Sequence, residues 1–105
     1  MKFTHLHLHS EYSLLDGVTR LPALVEKLKE YGMSSCALTD HGNMYGTFKF
    51  YNEMKHADLK PIVGCEIYIA PRSRFDKEAG IDNKYYHMTL LAMNLEGYKN
   101  LVKLV

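Results

Sequence analysis

The chain has 105 residues, 47% apolar and 24% charged, an ordinary globular composition for one domain or part of one. Its formal net charge of +1 provides no strong overall field to select nucleic acid or a membrane surface. No apolar run approaches the roughly 20 residues of a membrane span and the N-terminus lacks a signal-peptide core, so a cytoplasmic protein is expected.

Residues 3–9 have strand character, with Leu6 and Leu8 turned toward a core, and end in the polar stretch Ser10 to Ser13. Asp16-Gly17 marks a turn. Thr19 is the expected N-cap of a helix with Pro22 in its first turn. Leu24, Val25, Leu28 and Tyr31 share one face of that helix, and Gly32 ends it. Ser35 to Thr39 reads as a short buried strand, followed by the loop Asp40-His41-Gly42-Asn43. A second helix is expected over roughly 44–56, with Met44, Phe48 and Tyr51 on one side and His56 facing solvent. Pro61 precedes an apolar strand, residues 62–70. Residues 71–84 lack periodicity and mix basic with acidic side chains, as a solvated loop does. Tyr86 to Ala92 is a further strand. Asn94 caps a last helix in which Tyr98, Leu101, Val102 and Val105 share a face.

The expected order is β-α-β-α-β-loop-β-α, an α/β fold with a mostly parallel sheet or barrel. The last helical pattern has no C-cap glycine, so residues 1–105 are expected to be the N-terminal portion of a longer domain. Cys36 and Cys65 lack zinc-finger or redox spacing, and both sit in apolar runs as core thiols.

Ligand-type residues cluster at the expected strand ends. In a strand, His5, His7 and His9 project from one side, and two imidazoles so spaced suit one divalent ion. Asp40-His41 follows the second strand, at the end where α/β sites gather. Asp40 would serve equally to organise the turn. Glu66 lies inside the apolar run Ile62 to Ile69, where a carboxylate is costly unless paired or bound to a cation. A lysine salt bridge would satisfy it, but metal bridging fits the neighbouring histidines better. His87 joins this group only if its strand runs antiparallel to residues 62–70, and that arrangement is expected. Asp16 sits just past the first strand, where a short acidic side chain can turn back toward the histidines.

His7-Leu8-His9-Ser10, the following Asp16-Gly17, Thr39-Asp40-His41-Gly42 and Gly64-Cys65-Glu66 resemble the first motifs of the polymerase and histidinol phosphatase (PHP) family. Longer stretches, His5 to Gly17, Asp40 to Gly46, Lys60 to Gly64 and Tyr98 to Leu101, resemble the N-terminal PHP segment of bacterial replicative DNA polymerase alpha subunits. The resemblance covers essentially the whole chain. It implies the N-terminal part of a distorted (βα)7 barrel holding up to three divalent metals, zinc, manganese or iron, at its strand ends. By position, His7 and His9 would bind the first metal and Glu66 would bridge two. Asp16 and His41 would bind a second, and His87 would help hold the third. His5 stands where many relatives have aspartate and would have a supporting role. Asp40 would orient His41 through a carboxylate–histidine hydrogen bond.

The implied activity is phosphoester hydrolysis, as 3′–5′ exonuclease proofreading, alongside a magnesium-dependent polymerase site elsewhere in the full protein. The implied partners are DNA, other subunits of the replicative holoenzyme and a proofreading exonuclease; no membrane is implied. The family's later ligands, a further His or Cys and a closing Asp-x-His, do not occur, and no histidine or aspartate follows His87. Residues 1–105 alone are therefore expected to bind metal weakly and to have little activity. Two other readings stand beside this one. The first is a structural module that supports the polymerase and docks an exonuclease. The second is a histidinol-phosphatase-type enzyme, which the polymerase-like stretches disfavour.

Overall fold

A computed structural model describes residues 2–105. Its central strand is β2 (Lys60–Ile69), the middle member of a three-stranded sheet. On one side lies the short buried strand β1 (Ser35–Leu38), parallel to β2 with Ala37 opposite Ile62. On the other lies β3 (Tyr86–Leu91), antiparallel to β2 with Tyr68 opposite His87 and Glu66 opposite Thr89. The antiparallel arrangement brings the start of β3 to the end of β2, as expected for His87. The sheet is mixed rather than mostly parallel.

Three helices accompany the sheet: α1 (Leu21–Glu30), α2 (Thr47–His56) and α3 (Leu95–Leu104). Leu21, Leu24, Val25 and Leu28 of α1 pack with Phe50 and Met54 of α2 and with Cys36 and Leu38 of β1. Each such apolar side chain contributes roughly 1.5–3 kcal/mol on burial. Both cysteines are free and buried. Burial raises the thiol of Cys36 to about 11, so it stays protonated at neutral pH. Asn94 caps α3 by accepting a hydrogen bond from the Gly97 backbone N–H at 3.0 Å.

The structure corrects several expectations. Residues 3–9 form no regular strand, although they run beside β1 through an isolated parallel bridge of His5 to Cys36. The Thr39 N–H donates to the Leu8 carbonyl at 2.9 Å, and the Thr39 Oγ1 accepts from the Leu8 N–H at 2.9 Å and donates to the Leu8 carbonyl at 3.2 Å. Leu8 still packs on the core, but Leu6 is 49% exposed.

Arg20, not Thr19, is the N-cap of α1, and no side chain caps it. Thr19 is engaged elsewhere, bridging Ser10 and accepting the Glu11 N–H at 2.9 Å. Tyr31 lies exposed at the C-cap. Gly32 turns left-handed at φ 65° and ends the helix there, as expected.

Helix α2 begins at Thr47, later than expected, because the Asn43 side chain accepts the Tyr45 N–H in a local turn. The core takes Thr47, Phe50 and Met54, while Phe48 and Tyr51 are exposed; His56 faces solvent as expected. The loop 71–84 is tied internally by Arg72, which donates to Asp82 at 2.9 and 2.5 Å and to Glu78 at 3.0 Å. Among the described residues, no helix is long and apolar enough to cross a membrane.

The polar turn after His9 is held from inside. Asp40, 2% exposed, accepts the Ser10 N–H at 2.6 Å, the Ser10 hydroxyl at 2.8 Å and the Ser13 hydroxyl at 2.9 Å. Gly17 closes the turn so tightly that a Cβ there would lie 1.7 Å from the Ser10 carbonyl oxygen. Asp40→Asn removes the charge and turns one acceptor into a donor facing other donors. It is expected to destabilise the protein by about 2–4 kcal/mol, read as a lowered urea midpoint with unchanged slope.

Candidate metal centre

Glu66 projects from β2 and is 7% exposed. Its Oε2 faces His7 Nε2 at 2.7 Å and His9 Nε2 at 2.6 Å. Its Oε1 faces His87 Nδ1 at 3.0 Å. The two carboxylate oxygens thus look toward two different imidazole groups, as a bridging ligand requires. His41 follows β1 through Thr39 and Asp40 and pairs with Glu66 in an isolated parallel bridge; the Gly42 N–H donates to the Glu66 carbonyl at 2.9 Å. The His41 ring places Nδ1 3.6 Å from Glu66 Oε2 and Nε2 2.7 Å from the Asp16 carboxylate. Asp16 also lies 3.4 Å from His9 Nδ1.

These six residues form three overlapping groups whose ligand atoms lie within 4.8 Å of one another: His7, His9 and Glu66; His9, Asp16 and His41; His41, Glu66 and His87. His5 and Asp40 do not join them. His5 is exposed and packs edge-on against Phe3. Asp40 does not bond the His41 ring, because its carboxylate is consumed by Ser10 and Ser13. It reaches His41 only through Ser13, whose Oγ accepts the His41 N–H at 3.0 Å.

The donor set fits divalent ions on three counts. His41 Nδ1 is buried without a hydrogen-bond partner, an arrangement that a cation relieves. The Nε2 atoms of His7 and His9 stand 3.2 Å apart; two ligands of one tetrahedral ion with bonds near 2.05 Å stand about 3.3 Å apart. Finally, Glu66 is held ionised. Burial pushes its carboxyl up, but hydrogen bonds from His7, His9 and His87 and the nearby His41 outweigh burial and bring it down to about 2. A metal therefore displaces no proton from Glu66. A neutral imidazole has one lone pair, so His9 and His41, though each belongs to two groups, can each ligate through one nitrogen only.

The PHP domain family model matches residues 5–105. The chain belongs to the PHP domain family. PHP-domain relatives include DNA polymerase III subunit alpha of Borreliella burgdorferi, 51% identical over 104 residues, 98% of this chain. The same-named proteins of Treponema pallidum and Thermus aquaticus are 50% identical over 105 residues and 45% over 108, each covering 99% of this chain. The chain spans about 9% of the length of these relatives. Two solved structures share its fold. One, from Bifidobacterium adolescentis and assigned as a metal-dependent phosphoesterase, has a TM-score of 0.65 at 18% identity, over 97% of this chain and 32% of its own. The other, an amidohydrolase from Chromobacterium violaceum, has a TM-score of 0.62 at 16% identity, over 95% of this chain and 32% of its own. Both likenesses accord with a partial PHP barrel.

Some residues at this PHP site escaped the sequence reading. Ser10 and Ser13 hold the histidine-bearing turn to Asp40, and nothing in their spacing distinguishes them from solvated loop serines. Tyr68 stands beside the site, and here a clue existed: it alternates with Glu66 on β2 and so shares its face.

The Glu66 carboxyl of the metal-free protein is expected to titrate near 2, below its ordinary 4.5. Because the folded value is depressed, the resulting stabilisation, up to about 3 kcal/mol, is complete above the ordinary value and lost as pH falls toward 2. Carboxyl-carbon NMR of the metal-free protein gives the midpoint directly. Denaturant titrations should show a smaller loss between those pH values for Glu66→Gln than for the wild type.

Proposed function

We propose that this chain is the N-terminal PHP segment of a bacterial DNA polymerase III alpha subunit and supplies most ligands of a trinuclear divalent-metal site for phosphoester hydrolysis. The observation that carries this is Glu66, whose two oxygens face separate imidazole groups. His7, His9 and Glu66 would hold one ion, Asp16 and His41 a second, and His87 with Glu66 a third. Zinc, manganese or iron suits imidazole and carboxylate donors together. Such ions, when bound, supply a water acidified to near neutral pH and positive charge for the phosphoryl oxygens.

The chain's own residues position and shield this chemistry. Asp40, Ser10 and Ser13 fix the turn that carries His9 and Asp16, so the ligands are in place before any ion arrives. Glu66 stays anionic and brings negative charge without a proton to lose. The Asp16 carboxylate lies 2.7 Å from His41 Nε2, close enough for both to reach one ion.

The substrate that suits a replicative polymerase is a 3′-terminal phosphodiester, and the reaction is 3′–5′ exonuclease proofreading. Such a protein works in the cytoplasm on DNA, beside other subunits of the holoenzyme, with magnesium serving its polymerase site elsewhere. The ligands still needed to close the site, a further His or Cys and an Asp-x-His, would lie beyond residue 105.

His9→Ala in the full-length protein is the decisive test, with metal content by elemental analysis and 3′–5′ hydrolysis of a labelled primer terminus read together. Loss of bound metal and at least about 100-fold loss of hydrolysis are expected. Full metal loading with unchanged nuclease activity would sink the assignment. A metal-loaded wild type without hydrolysis would favour the structural role, supporting the polymerase and docking a separate exonuclease.

A further inference from the structure

A cavity of about 390 Å³ opens beside the cluster, lined by Asp16, His41 and His87 and, outside the ligand set, by Ser13, Asn43 and Tyr68 among others. The volume lies within the range of small-ligand sites. The hydrogen-bond donors of Ser13 and Asn43 are already committed. Ser13 Oγ donates to Asp40 and accepts from the His41 N–H. The Asn43 amide donates to the Tyr12 and His41 carbonyls at 3.0 and 3.1 Å and accepts from the Tyr45 N–H.

Tyr68 is different. Its ring is held on several sides yet remains half exposed. It lies parallel to His41, with centroids 6.3 Å apart at 4°, and meets His87 edge-on at 5.1 Å and Tyr85 at 4.9 Å. Gly42, at φ 58°, lets it settle: a Cβ there would come within 2.5 Å of the ring. A rigid aromatic surface already fixed in a ligand cavity binds a flat ring with little further loss of freedom.

We propose that Tyr68 is the stacking platform for the nucleobase attached to the phosphoester at the cluster. The inference rests on the phosphoesterase reading above and adds the chemistry of recognition. Every base has a π-face, and the donors of Ser13 and Asn43 are bound within the protein, so stacking outweighs edge reading. The site therefore demands a base and is indifferent to which one. Tyr68 is a positioning residue: it sets the depth of the terminal nucleotide and leaves the reacting atoms to the ligand set.

The test is calorimetric binding to the metal-loaded full-length protein, comparing each deoxynucleoside 5′-monophosphate with 2-deoxyribose 5-phosphate. Wild type, Tyr68→Phe and Tyr68→Leu are measured with their metal contents; the difference between variants separates this site from any other nucleotide site on the protein. The wild type is expected to favour the nucleotide by roughly 5- to 150-fold, nearly equally for the four bases. Tyr68→Phe should keep that preference, and Tyr68→Leu should erase it with metal content and sugar-phosphate affinity unchanged.

Equal affinity of the wild type for the two ligands overturns the platform. So does a preference that survives in Tyr68→Leu, or a strong preference for one base. If Tyr68→Leu sheds metal, Tyr68→Met replaces it, with the same loss of preference expected and a retained preference overturning the platform. Hydrolysis of a primer terminus is followed in parallel. Hydrolysis without base preference defeats the platform alone, whereas base preference without hydrolysis defeats the phosphoesterase reading alone.

Discussion

A carboxylate in the middle of a buried strand has to be compensated, and at Glu66 the surrounding structure supplies the compensation. An isolated charge there would cost several kcal/mol. Three imidazole nitrogens within hydrogen-bond distance of its two oxygens, and a fourth ring close by, reverse the balance and hold it anionic. The histidines come from three places in the chain: the N-terminal segment, the loop after β1 and the start of β3. Folding around β2 is what brings them to one carboxylate. The same crowding of imidazoles around one anion that stabilises the metal-free protein also makes the site receptive to cations.

Asp40 is the counterpart of Glu66, a second buried carboxylate with a different task. Its oxygens are saturated by Ser10 and Ser13, so it holds a backbone turn rather than a metal or a ring. That turn carries His9 on one flank and Asp16 on the other. The division of labour follows from the donors each carboxylate meets. Hydroxyl and amide donors satisfy Asp40 fully, whereas Glu66 faces ring nitrogens that can yield their protons and become ligands. The Tyr68 ring, parked on Gly42 beside His41, completes one wall of the cavity onto which these groups open.

Sequence pattern reached the elements whose forces are local. The apolar face Leu24, Val25 and Leu28, the stop at Gly32, the cap at Asn94 and the buried run of β2 all follow from neighbours a few residues apart. Where a distant group competed, the local reading failed. Thr19 was drawn into a bridge with Ser10 instead of capping α1, and residues 3–9 met β1 at His5 and Leu8, where the Thr39 hydroxyl also bonds both polar groups of the Leu8 backbone. The side of α2 bearing Phe48 and Tyr51 was recognisable as a helix face, but which face meets the core depends on where β2 lies.

The residue types and spacing by themselves singled out His7, His9, Asp16, His41, Glu66 and His87 as ligand-type residues at expected strand ends, and their motifs carried the resemblance to the PHP family. Only the tertiary structure decided how they divide. The fold split the two oxygens of Glu66 between imidazole groups, left His5 outside, turned Asp40 away from the His41 ring and set Tyr68 at the cavity. These outcomes depend on side-chain directions and hydrogen bonds across 20 to 60 residues of sequence. Local pattern does not encode such directions, since each is settled by which distant donor or acceptor the fold brings against a saturable group.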